Sequence, residues 1–292
     1  MAVSNQLSLL EAKDKFVDDL KQKGRAHATV LAYGNDIEQL ATFARTLNKF
    51  QVADVGTDDI EAFKTSLKSQ DYTAKSISRK INSIKSLYRF LDQKKLIGDN
   101  PAQQVSHPKY EVSPPRILSK LEYRALRDAC RDDLRLSAII ELLLQTGIRI
   151  GELAGLKLDD VNLNRKILII KPYESHEGRT IPLTQAAVKS LEAYLKIRPK
   201  TKEDTLFITK TGNSFLVRNI RTAIDRYYKL AGIKNAKVND LRHTFIIEQL
   251  SSGVPLTYLS KVVGHKRIST TEKYMKLIEN QSEKDSVKIE EL

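Results

Sequence analysis

From Thr73 onward, Ile77, Ile81, Ile84, Leu87, Tyr88 and Leu91 recur three or four residues apart. That spacing lays apolar side chains along one stripe of an α-helix. Lys75, Arg79, Lys85 and Arg89 fall on the opposite face, and between Lys75 and Lys95 seven cations stand against one acid, Asp92. Such a face is either a solvated surface or a set of phosphate contacts, and these four residues are the candidates for the second role. The rest of the first hundred residues also reads as helices, punctuated at Gly24, Gly56 and the Gly98-Asp99-Asn100-Pro101 run, with no strand pattern between them.

Residues 107–118, HPKYEVSPPRIL, hold three prolines and no apolar period, so they read as an extended linker. The expected division is therefore a helical domain over 1–106, a linker over 107–118 and a second domain over 119–292. Ser119 followed by Glu122 matches a capping box and opens the second domain with a helix. Beyond it the pattern is mixed. RKILII (165–170) and RTIPL (179–183) read as paired strands around a polar loop, TLFI (205–208) as a third strand, and the remaining segments as helices.

Composition narrows the function classes. The chain has 292 residues, 41% hydrophobic, and a formal net charge of +13. A field of that sign attracts polyanions, nucleic acid first and an anionic membrane surface as the rival. No segment approaches the roughly 18 apolar residues of a membrane span, and the first residues reach acid and base too early for a signal peptide, so a cytoplasmic protein is expected. The membrane rival also lacks an amphipathic cationic helix with a lipid-seeking apolar face. The single cysteine, Cys130, excludes an intramolecular disulfide and a cysteine-built zinc site, and its helical spacing suits a buried small hydrophobe.

The candidate chemistry lies in the second domain. In LLLQTGIRIGEL (142–153) an apolar helix stops at Gly147, a left-handed-cap signal, with Arg149 just beyond. NDLRHTFIIEQL (239–250) starts a second helix at an Asn or Asp cap, which puts Arg242 and His243 in its first turn. A cation beside the positive end of a helix dipole is unfavourable unless an anion lies nearby. Two such arginines invite a phosphate. Near the end of the chain GHKRISTTEKYM places His265 nine residues before Tyr274.

These four motifs together resemble the tyrosine recombinases, or phage-type integrases, and most closely the Xer-type and mobile-element members. TGIRIGEL supplies Arg149, DLRHTF supplies Arg242, VVGH supplies His265 and TTEKY supplies Tyr274, in the family's order and over about 125 residues. TVLAYGNDIEQLATF near the N-terminus is similar to the opening of the family's helical core-binding domain. The resemblance implies an N-terminal all-α, SAM-like DNA-binding domain. It also implies a mainly α, α+β catalytic domain with a small antiparallel sheet. Two positions depart from the family pattern. Asn239 stands where the family has a histidine or lysine, and an amide takes no proton at neutral pH. The hairpin IIKPYESHEGRTIPL lacks the usual Gly-Lys-Gly, leaving Lys171 as the nearest lysine and His176 as its substitute. In the family, a histidine after the second arginine, here His243, ordinarily packs.

By resemblance, Tyr274 attacks a DNA phosphodiester to form a 3′-phosphotyrosine. Arg149, Arg242, His265 and Asn239 contact the phosphate, and Lys171 protonates the 5′-oxygen. One phosphodiester is exchanged for another, so neither ATP nor a metal or other cofactor is required, and no Walker-type loop is found. The implied partners are a double-stranded recombination site, three further copies of the chain in a tetramer, and, with no trace in the sequence, a partner recombinase or directionality factor. The acidic tail (278–292) ends in VKIEEL, which by resemblance docks on a neighbouring protomer. Either dimer resolution or integration and excision of a mobile element fits. Two rival functions remain at this stage: a topoisomerase-like nicking and resealing enzyme, and an accessory DNA-binding protein whose catalysis has lapsed.

Overall fold

The computed structural model describes residues 7–111, 113–172 and 176–286 and divides into two compact units, Met1–Val112 and Ser113–Leu292. The first unit is built from α1 (Leu9–Gln22), α2 (His27–Thr46), α3 (Thr57–Ser69) and α4 (Ala74–Gln93). Helix α4 starts where Thr73 Oγ1 accepts a bond from the Ser76 amide, and its predicted stripe is fully buried from Ile77 to Leu91. Its core partners include Phe16, Ile37, Leu40, Ile60 and Leu67.

Lys75, Arg79 and Arg89 are exposed and Lys85 is half-buried. Arg79 is not a free cation, because it pairs with Asp36, whose carboxylate is buried. Asp36 also holds Lys80 at 3.0 Å and accepts from Ser83 Oγ at 2.7 Å, so one of the seven cations counted on this segment lies inside the unit. Lys85 Nζ donates to the Gln103 carbonyl at 3.3 Å.

The second unit contains α5 (Lys120–Ala129), α6 (Leu134–Thr146), α7 (Ile150–Ala154), α8 (Gln185–Ile197), α9 (Val217–Leu230), α10 (Val238–Ser251), α11 (Leu256–Val263) and α12 (Ser269–Ser286). Ser119 and Glu122 form the expected capping box at the head of α5. Helix α6 is apolar on nearly every face and runs through the core, packed against α8 and α10. Leu118 is buried in the same core and its amide donates to Thr244 Oγ1 at 2.9 Å, which ties the chain entering this unit to α10.

The antiparallel sheet runs β1-β2-β3, with β1 Val161–Asn162, β2 Ile167–Ile170 and β3 Arg179–Pro182. Leu168 faces Ile181, and Ile170 faces Arg179. Leu168, Ile170 and Ile181 are buried while Ile169 is 40% exposed, the period-two burial of a one-sided sheet. The paired strands are thus where the pattern predicts them, but the third is not. TLFI makes only isolated bridges, Thr205 to Lys157 and Ile208 to Ser214. Leu206, Phe207 and Ile208 are buried as expected of a core segment, yet no neighbouring strand continues a ladder along them. The short segment before the hairpin takes the third position.

Candidate active site

Helix α6 ends at Gly147, whose φ of +59° is the left-handed cap. A Cβ there would collide with Phe245 Cδ1. Helix α11 ends in the same way at Gly264, φ +67°. The two arginines singled out in the sequence are held at these helix ends. Arg242 donates through Nη1 to the Gly147 carbonyl and through Nη2 to the Val263 carbonyl at 2.7 Å. Arg149 Nη2 donates to the Gly264 carbonyl at 2.8 Å. Main-chain carbonyls at a helix C-terminus carry its negative partial charge, so these arginines are positioned by backbone.

The position of Arg242 in its own helix needs correcting. α10 begins at Val238 with Lys237 as N-cap, and Asp240 sits at the third helical position accepting from the Lys237 amide at 2.7 Å. Asn239 is therefore inside the helix rather than capping it, and Arg242 and His243 belong to the second turn. The sequence offered Asn and Asp as caps, but an Asp at the third position serves the same amides from inside the helix.

Between Arg149 and a third guanidinium, Arg179, lies Glu152, a carboxylate with no side-chain exposure. Arg149 Nη1 reaches it at 3.0 Å, and Arg179 grips it with Nη1 at 2.9 Å and Nη2 at 2.8 Å. Arg179 Nε donates to the Val262 carbonyl at 2.6 Å. Burial works against the Glu152 carboxylate, but the Arg179 bonds, the Arg149 amide and the two positive charges outweigh it and hold its pKa down at about 2. Arg242 is pushed the other way: burial, then the charge of Arg149 and of Arg179, lower it to about 9, with Glu152 opposing. Arg149 and Arg179 thus share one carboxylate, Arg242 feels the charge of all three, and the cluster is short of negative charge.

Tyr274 of α12 is 8% exposed and lies between two imidazoles. Its ring is 5.8 Å from that of His243 and 6.2 Å from that of His265, nearly parallel to the latter at 13°. Its Oη and His243 Nδ1 share a hydrogen bond at 2.7 Å. Burial raises the phenol's pKa and the charge of Arg242 pulls it back in part. His265 Nδ1 shares a 2.8 Å bond with the buried Thr271 Oγ1, and burial followed by Arg242, Arg149 and Arg179 lowers its pKa to about 4.

Of the predicted site residues, Arg149, Arg242, His265 and Tyr274 come together. Asn239 is exposed one turn ahead of His243, and both line a cavity of about 1030 Å³ with Arg221, Lys229, Lys234 and Lys237. Lys171 stands apart, 59% exposed and paired with Asp160 at 2.7 Å. His176, from the other limb of the hairpin, lines a cavity of about 680 Å³ with Arg179, His265 and Lys266. Burial and the charge of Arg149 lower its pKa, and its Nδ1 is buried without a hydrogen-bond partner. Glu152, Arg179 and Thr271 are absent from the sequence reading, and His243 entered it as a packing residue, whereas it bonds directly to Tyr274. Glu152 had a signal, since it lies three residues after Arg149 on the same short helix. Arg179 had none beyond opening a strand. Among the described residues no group of three or more His, Cys, Asp or Glu is placed to hold a metal ion. No described helix is long and apolar enough to cross a membrane.

A fold with an N-terminal helical unit, a mainly helical second unit with a small sheet, and a tyrosine beside clustered arginines has known counterparts. Residues 116–281 match the phage integrase family, and residues 14–95 match the phage integrase N-terminal SAM-like domain. The chain belongs to the phage integrase family, the tyrosine recombinases, enzymes that cut and rejoin DNA. Among curated proteins it is 31% identical to tyrosine recombinase XerC of Oceanobacillus iheyensis, over 92% of each chain. It is 33% identical to tyrosine recombinase XerC of Natranaerobius thermophilus, over 89% of this chain and 91% of that one. Among solved structures, the XerA recombinase aligns over 94% of this chain and 98% of that one, with 27% identity and a TM-score of 0.54. The Tn1549 transposon integrase bound to transposon right-end DNA covers 96% of this chain and all of that one, with 18% identity and a TM-score of 0.78. A lambda integrase tetramer on a Holliday junction aligns at 19% identity over 90% of this chain and 79% of that one, TM-score 0.74.

Proposed function

We propose that the protein is a site-specific recombinase in which Tyr274 attacks a phosphodiester of duplex DNA and carries the cut strand as a 3′-phosphotyrosine. The observation that carries this reading is the charge-deficient cluster in which Arg149 and Arg179 share the single carboxylate of Glu152 and Arg242 adds a third positive charge, within one packed site with Tyr274. A phosphate oxygen is the anion such a cluster lacks. The guanidiniums, fixed by carbonyls before substrate arrives, would stabilise the charge that builds on the non-bridging oxygens as phosphorus becomes five-coordinate. His265, kept neutral, can donate a hydrogen bond to the same phosphate. The proton for the leaving 5′-oxygen is assigned to the hairpin, with Lys171 and His176 as its two candidates.

Strand exchange between two duplexes needs four cuts, so the working assembly is a tetramer, as in the lambda integrase structure. The same strand exchange serves either resolution of replicon dimers or integration and excision of a mobile element. The closing VKIEEL, to which the resemblance gives docking on a neighbour, lies outside the described residues. The test is covalent trapping on a nicked duplex carrying the site recovered by selecting bound fragments from a random-sequence pool. Wild type is expected to leave a denaturant-resistant adduct without added metal and Tyr274→Phe none. Tight binding with no wild-type adduct would favour a catalytically lapsed accessory protein.

A further inference from the structure

We propose that His243 is the proton acceptor for the Tyr274 hydroxyl, an assignment that rests on the reading of Tyr274 as nucleophile. A phenol is mostly protonated at neutral pH, and attack on phosphorus requires its proton to leave as the new bond forms. Three side chains could be asked to take it. His265 has Nδ1 engaged with Thr271, and its ring lies nearly parallel to the tyrosine at 6.2 Å between centroids, while the hydrogen bond at Oη is made by His243. Asn239, one turn before His243 on α10, has an amide that cannot hold the proton. His243 alone meets both conditions: its Nδ1 is 2.7 Å from Oη, and an imidazole can hold a proton.

The surroundings agree with a neutral imidazole waiting for a proton. Burial and the charge of Arg242 lower the His243 pKa, with Asp240 opposing. In the tautomer carrying hydrogen on Nε2, the Nδ1 lone pair accepts the bond from the phenol. As Oη bonds to phosphorus, the O–H bond breaks and its proton passes to Nδ1. The bond from phosphorus to the 5′-oxygen breaks, and that oxygen takes a proton from the hairpin donor or water. On rejoining, the 5′-hydroxyl attacks and gives its proton back to that donor's conjugate base or to water, the bond from phosphorus to Oη breaks, and the imidazolium returns its proton to Tyr274. No net proton is gained or lost, and no co-reactant is used.

The experiment measures single-turnover adduct formation by the full chain on the nicked selected duplex, together with DNA affinity and melting temperature. His243→Gln keeps a group able to accept a hydrogen bond from the phenol but cannot hold a proton. It is expected to slow adduct formation by about 10²-fold or more with affinity unchanged. In His243→Ala, added imidazole is expected to raise the rate, and it should do nothing for Tyr274→Phe. Adduct formation by His243→Gln within about threefold of wild type overturns the assignment, since general-base catalysis contributes far more than that. Parallel loss of cleavage, DNA binding and melting temperature in both variants also overturns it, making His243 a packing residue. A wild type that forms no adduct on any selected duplex would instead remove Tyr274 as nucleophile.

Discussion

At the scale of single residues, the site is an arrangement of like charges kept close by one acid. Glu152→Ala leaves Arg149, Arg179 and Arg242 clustered without a counter-ion. Removing one partner of a buried pair is expected to cost about 3–5 kcal/mol, read as a lower melting temperature of the second unit. Acid should reach the same site in two stages. The His265 pKa is lowered from 6.5 to about 4, so its contribution to stability is complete above pH 6.5 and is lost as pH falls toward 4, where the unfolded chain binds the proton first. Glu152, lowered from 4.5 to about 2, contributes fully above pH 4.5 and loses its contribution between there and pH 2. Melting curves recorded from pH 7 to pH 3 should fall through both windows, and Glu152→Gln should flatten only the lower one. For catalysis, Arg149→Ala and Arg242→Ala are each expected to slow adduct formation by about 10²–10³-fold, with much of the DNA affinity kept. Arg149, Arg242, His265 and Tyr274 were legible because their motifs occur in a fixed order. The partners that set their protonation were less so: Arg179 meets Glu152 across 27 residues of chain and His243 meets Tyr274 across 31, and nothing local announces either contact.

At the scale of elements, two glycines do work that no side chain advertises. Gly147 and Gly253 both have positive φ, +59° and +83°, yet a Cβ at Gly253 meets nothing within 4 Å, whereas at Gly147 it strikes Phe245. Both alanine variants therefore carry backbone strain of about 1–2 kcal/mol. Only Gly147→Ala adds overpacking, about 1–3 kcal/mol more, and denaturant titration should show the difference. The helices were easily read because apolar stripes at a 3.6-residue period need no knowledge of the neighbours. TLFI shows the limit of that reading. Its burial is real, but a strand exists only where another backbone supplies a ladder, and this is a property of the packed fold. The head of α10 was misread for a related reason, since an Asp at the first helical turn and an Asp at the cap look alike in sequence.

At the scale of the whole molecule, the charge of +13 supports nonspecific attraction to DNA, while the ion pairs decide which cations are available. Lys75 and Arg89 are exposed, whereas Arg79 is partly committed to Asp36. Replacing Lys75 or Arg89 by alanine is expected to lower the slope of log affinity against log salt by about 0.9 each, if each contacts one phosphate. Asp36→Ala leaves Lys80 buried without a counter-charge and should destabilise the first unit while sparing the second, which calorimetry would show as movement of one transition. The two-unit plan was legible from the proline-rich segment and from the change of apolar period on either side of it.

The seating of both arginines on helix-end carbonyls has a consequence for genetics. A screen that selects DNA-bound, recombination-defective variants should return hits at Gly147 and Gly264 as well as at the charged positions. At Gly264 a Cβ would come within 2.8 Å of Arg179 Nη1, so even a methyl group there redirects a guanidinium. Positions with no functional group of their own would then score as loss of function, and a mutational map of this protein would place two of its active-site residues where chemistry alone would not look.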